Sequence, residues 1–140
     1  MIKRYNYYIG IDPGTNTGLA LWDGHNKKFM HLQTYKIHNA MKLIESWYDS
    51  MESVLVRFED ARLRVWFGTA GREKLQGVGS IKRDCAIWED FLTDLKIPFE
   101  AVKPRAGMTK WSAEYFAKIT GWKERTTVHS RVAGALVFGI

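Results

Sequence analysis

Residues 7–37 hold three runs of strand-forming residues separated by two turn signals, and this pattern constrains the fold more than any other. The run YYIGI (7–11) is apolar and partly β-branched. It is followed by DPGTNTG, in which Pro13, Gly14, Asn16 and Gly18 are all turn formers. LALWD (19–23) reads as a second strand, and DGHNKK opens on Asp23-Gly24, a hairpin signal. KFMHLQTYKI (28–37) alternates as a third strand. Three consecutive strands joined by tight turns form an antiparallel meander.

After residue 37 the hydrophobic period changes. Met41, Ile44, Trp47, Tyr48 and Met51 fall at helical spacing, with Asn39 as the expected N-cap. SVLVRFED (53–60) is an apolar run ending in acids and reads as a buried strand. Over 79–95, Ile81, Cys85, Trp88, Phe91, Leu92 and Leu95 share one helical face. PFEAVKP (98–104) reads as a short strand, TKWSAEYFAKITG (109–121) as a helix stopped by Gly121, and VHSRVAGALVFG (128–139) as a last short helix. The order β-β-β-α-β-α-β-α-α predicts an α/β fold: a mixed five-stranded sheet with helices on its faces. At 140 residues and 46% apolar composition, one domain spanning 1–140 is expected.

Cys85 is the single cysteine, which excludes an internal disulfide and any multi-cysteine zinc site and suits a reducing cytoplasm. It reads as a small buried hydrophobe. No apolar run approaches the length of a membrane span and no signal peptide is visible, so no membrane partner is expected. The net charge of +6 suits a polyanionic partner. The stretch 61–83 combines four glycines with Arg62, Arg64, Arg72, Lys74, Lys82 and Arg83 and with the adjacent rings of Trp66 and Phe67. Cations meet phosphates and rings stack on or wedge between bases, so this stretch is a candidate nucleic-acid contact. Lys103, Arg105 and Lys110 continue the basic set. The competing reading is a solvated loop and helix start.

Asp12 poses a chemical problem. It ends or interrupts an apolar strand, where an unpartnered carboxylate costs several kcal/mol or more. Glu59 and Asp60 end the fourth strand. Acids gathered at neighbouring strand ends repel one another unless a cation joins them. Oxygen ligands without cysteine favour Mg²⁺, with Mn²⁺ able to substitute. Two such ions about 4 Å apart can activate water against a phosphodiester. His129, near the C-terminus, is a candidate to join as ligand or proton carrier, with a structural histidine as the competing reading.

These segments carry a family resemblance. IGIDPGTNTGLALWD resembles the first strands of RuvC-type Holliday-junction resolvases, within the RNase H-like and retroviral-integrase superfamily. VLVRFEDARLRVWFG resembles the second acidic strand, and GREKLQGVGSIKRDCAIWEDFL the segment that follows it in phage-borne members. IPFEAVKP, Lys110 and HSRVAGALVFG continue the likeness in order over nearly the whole chain. The resemblance implies an RNase H-like fold and a Mg²⁺-dependent endonuclease. Asp12 and Glu59 would hold metal, and His129 would bind metal or move a proton. Lys110 would neutralise the phosphate, and Trp66, Phe67 and Arg72 would contact the branch point. The last helix of such proteins resembles E-H-x-R-D-A, whereas this chain reads Val128-His129-Ser130-Arg131-Val132-Ala133. His129 and Arg131 are retained, the latter implied as a DNA contact, while Val132 replaces a metal-binding acid. Asp60 and Asp84 are the acids available to compensate.

Three readings follow. The first is an endodeoxyribonuclease that resolves four-way junctions and other branched DNA, acting as a homodimer because a two-fold junction needs two matched incisions. The apolar face of residues 79–95 is a candidate interface, with core cover as its alternative role. The second is a junction-binding protein of the same fold with weak or no cleavage, supported by Val132. The third, a sugar-kinase-like phosphate binder, needs a second phosphate loop that the sequence lacks, so no nucleotide cofactor is expected.

Overall fold

The computed structural model describes residues 4–63, 72–104 and 111–140, with side chains throughout except over 72–78. The meander expected from the two turn signals is present. Strands β1 (Tyr7–Asp12), β2 (Asn16–Asp23) and β3 (Lys28–Lys36) pair antiparallel in chain order. Helix α1 (Ile37–Ser50) crosses back, so that β4 (Val54–Glu59) pairs parallel with β1. A single 3-10 turn (Ala61–Leu63) and helix α2 (Arg72–Asp94) lead to β5 (Phe99–Val102), parallel to β4. Helices α3 (Ala113–Thr120) and α4 (Val128–Ala135) complete a five-stranded mixed sheet of order β3-β2-β1-β4-β5. Among the described residues no helix is long and apolar enough to cross a membrane.

Because strand side chains alternate, the sheet builds two cores. Ile9, Ile11, Leu19, Leu21, Val54, Val56 and Phe58 face one way and meet Ala40 and Ile44 of α1 and Cys85, Trp88 and Leu92 of α2. Tyr8, Ala20, Trp22 and Leu55 face the other way and meet Phe116 of α3 and Ala133 of α4. Each large side chain so buried contributes about 1.5–3 kcal/mol. Cys85 is fully buried in the first core, and burial pushes its thiol up to about 11, in keeping with a packing role.

Three local expectations are corrected. Helix α1 starts at Ile37 rather than after Asn39; its first amide donates to Thr15 O at 3.3 Å, so the β1–β2 turn does the work of a side-chain cap. Helix α2 starts at Arg72, seven residues before the expected 79, because REKLQ is a run of strong helix formers that carries the helix through Gly77 and Gly79. Asn16 and Gly18 belong to β2 and not to the turn before it.

Candidate active site

Asp12 is the last residue of β1, and the chain turns at once through Pro13 and Gly14. Thr17 is fully buried and its Oγ1 donates to Gly14 O at 2.7 Å, which fixes the turn. Asp12 pairs across the sheet with Gly18, which pairs in turn with Thr34 of β3.

Helix α4 lies flat on this part of the sheet because two strand residues lack side chains. A Cβ on Gly10 would stand 2.0 Å from Ala133 O, and one on Gly18 would stand 2.0 Å from His129 O. No real Cβ tolerates that approach, so these glycines are set by helix-to-sheet contact. The helix start is held as tightly. The Thr127 hydroxyl accepts from Ser130 N at 3.0 Å while Thr127 N donates to Ser130 Oγ at 2.9 Å, a reciprocal cap, and the hydroxyls of Thr127 and Thr34 meet. The result brings His129 Nδ1 to 2.9 Å from Asp12 Oδ2.

Burial pushes the Asp12 carboxyl above the ordinary carboxylate range, and the hydrogen bond and charge of His129 offset only part of that. Asp12 is thus held in a place that disfavours its own charge, the condition under which an added cation is most welcome.

Glu59 ends β4, one residue beyond the last β1–β4 couple, Ile11 with Phe58. Ile11 and Phe58 point into the α1–α2 core, so Asp12 and Glu59 both face α4. Arg57, on the same face of β4, confirms this by donating through Nη1 to Leu136 O. Asp12 and Glu59 thus stand at two adjacent strand ends, and the start of α4 brings His129 to the first of them. Two carboxylates and an imidazole are a donor set suited to Mg²⁺ or Mn²⁺. Among the described residues, however, no three His, Cys, Asp or Glu side chains are close enough to hold an ion as they stand. Val132, one turn after His129, is only 2% exposed and brings no donor.

The remaining expected residues divide sharply. Arg62 is engaged within the protein: its Nε and Nη2 donate to the two oxygens of Asp60 at 2.9 and 2.8 Å, and Nη2 also reaches Glu89 of α2 at 2.6 Å. Burial alone would raise the Asp60 carboxyl, but Arg62 holds it below the usual range. Asp60 is therefore bound by a guanidinium, which corrects its reading as a spare metal ligand. Arg131 is likewise turned inward, onto Trp111 and Thr126. Asp84 is half-buried, with Arg83 Nε 4.0 Å away. Lys82, Arg83 and Lys103 are exposed. Arg72 and Lys74 lie on α2, in the part whose side chains are not described, and Arg64, Trp66, Phe67, Arg105 and Lys110 lie outside the described residues. The sequence reading missed Gly10 and Gly18 as helix seats and Thr34, Thr127 and Ser130 as the frame of His129. Of these only the Thr127-x-x-Ser130 spacing, a weak form of a capping box, was a usable signal.

No protein-family model matches the sequence, and no curated protein does. Among solved structures, Thermus thermophilus RuvC in complex with a Holliday junction substrate is similar, with a TM-score of 0.60 and 18% identity. The match covers 93% of this chain and 89% of that one. The chain therefore has the RuvC-like, RNase H-like fold, as its sequence resemblance implied.

Proposed function

We propose that this RuvC-like fold serves as a metal-dependent endonuclease that resolves Holliday junctions and other branched DNA by phosphodiester hydrolysis. The observation that carries the reading is the 2.9 Å pairing of His129 with Asp12 at the end of β1, beside the neighbouring strand β4 that ends in Glu59. The solved RuvC, of the same fold, is bound to a Holliday junction. Asp12, Glu59 and His129 are the residues that would hold a divalent cation, which supplies charge for the phosphate and a more acidic water. Asp12 engages His129 Nδ1, which fixes the ring and leaves Nε2 to bind a cation or move a proton. Lys110 neutralises phosphate charge. Arg64, Trp66, Phe67, Arg72, Lys74, Lys82, Arg83, Lys103 and Arg105 form the DNA-contacting set. A homodimer matches the two-fold symmetry of a four-way junction, and a cytoplasmic location is in keeping with a DNA substrate.

The test is cleavage of a labelled four-way junction beside a matched duplex, in Mg²⁺ and in Mn²⁺. Junction cleavage that Asp12→Asn and His129→Ala remove is the expected result. A chain that neither binds nor cuts junctions would overturn the reading.

One observation favours a second reading, a junction-binding protein with weak or no cleavage. Val132 is buried where the resemblance implies an acid, so the cation has one hard ligand fewer. Junction binding with no cleavage in either metal would select it.

A further inference from the structure

The resemblance implies Arg131 as a DNA contact, and two of its three guanidinium nitrogens are bonded within the protein. Nε donates to Trp111 O at 2.9 Å, and Nη1 donates to Thr126 Oγ1 at 2.9 Å and to Thr126 O at 3.3 Å. One guanidinium thus ties the chain just before α3 to the loop just before α4. Thr127, the next residue, is tied twice more, to Ser130 and to Thr34.

The other end of this loop is also fixed. Gly121 closes α3 in the left-handed region, with φ 76° and its N–H on Ala117 O. Trp122 N donates to Thr120 Oγ1 at 3.2 Å, and its ring meets Phe29 edge-on at 6.5 Å. Between Trp122 and Thr126 stand three exposed residues, Lys123, Glu124 and Arg125. Glu124 lies near enough to His31 of β3 for its charge to offset part of the burial that lowers that imidazole. The two cations thus stand on a loop anchored at both ends. Ordering such a loop at an interface costs little, because the protein has already ordered it.

Its place is also informative. Thr127 stands over Thr34, and Thr34, Gly18 and Asp12 form one row across three strands. Two strand spacings amount to about 10 Å. The loop that leads into Thr127 therefore borders the β3 end of the row that starts at Asp12.

We propose that residues 123–125 form a preordered phosphate-binding ledge, with Lys123 and Arg125 as its cations and Arg131 as the positioning residue that holds it. This rests on the branched-DNA reading above and gives that reading a contact surface on the side of β3. Arg131 acts through its planar fork and not through its charge on DNA.

The test is fluorescence anisotropy of a labelled four-way junction with the full chain, in EDTA, over a salt series. Lys123→Gln and Arg125→Gln should each lower the log–log salt slope by about 0.9, and the double variant by about 1.8. Arg131→Gln should leave the slope unchanged while amide hydrogen exchange speeds up at Trp111 and over 126–130. A double variant with the parent's slope overturns the ledge. A slope lowered by about one in Arg131→Gln, with exchange unchanged, overturns the clamp and puts Arg131 on a phosphate. A parent that binds no junction overturns the branched-DNA reading and the ledge with it. Hydrogen exchange decides the clamp in every case.

Discussion

Gly18 and His129 meet backbone to backbone: a Cβ on the glycine would lie 2.0 Å from the histidine carbonyl oxygen. The approach of α4 to the sheet, and with it the pairing of His129 with Asp12, depends on a hydrogen atom where any other residue has a carbon. Gly18→Ala should therefore lower stability by about 1–3 kcal/mol, the range for overpacking. It should also shift the His129 ring resonances. Gly79→Ala is the control, since nothing lies within 4 Å of its Cβ position on α2. That change should raise stability by about 0.5–1 kcal/mol. Urea unfolding measures both, and a neutral Gly18→Ala would show that α4 is not seated as described.

Asp12→Asn should stabilise the metal-free protein at neutral pH while abolishing Mn²⁺ binding. Burial raises the folded carboxyl above its unfolded value, despite His129. Above that raised pKa the folded state carries a charge that the unfolded state bears more easily, so ionised Asp12 opposes folding. The advantage of asparagine should shrink as pH falls through the folded pKa, because the parent then protonates. Urea midpoints across pH in EDTA test the sign. A loss of stability at neutral pH would make Asp12 a structural residue.

Arg62→Ala should cost about 2–3 kcal/mol, less than the 3–5 of a fully enclosed pair because Arg62 keeps some exposure. It strands Asp60, whose side chain is 3% exposed. The Asp60 carboxyl is held low in the folded protein, so its contribution is present above the ordinary carboxylate pKa of 3.8 and is lost as pH falls through the folded value. The parent should therefore show an acid-labile component that Arg62→Ala lacks, read from unfolding midpoints between neutral and strongly acidic pH.

Val132→Asp should lower the Mg²⁺ concentration needed for junction cleavage and destabilise the protein when metal is withheld. His129 and position 132 lie three residues apart on one helical face, and an aspartate there adds the hard oxygen that Mg²⁺ prefers to imidazole. Its buried position makes the unpaired charge costly in EDTA. Metal titrations of cleavage, paired with melting in EDTA, test both halves. Equal cleavage by the parent at low Mg²⁺ would remove position 132 from the site.

The sequence by itself determined the element order, the meander, the mixed sheet and the placing of Asp12 and Glu59 at strand ends. Those features are written in local periods of 2 and 3.6 and in turn chemistry, which a chain shows without folding. Other facts belonged to tertiary structure alone. That Gly18 is a strand residue beneath a helix depends on α4, more than a hundred residues later. The internal partners of Arg62 and Arg131 were not legible either, because a basic residue's type does not say which acceptor it will meet. Asp60, two residues before Arg62, and Thr126, five before Arg131, took those forks once the chain folded. His129 lies 117 residues from Asp12, so only the seating of α4 on Gly10 and Gly18 could bring imidazole and carboxylate together.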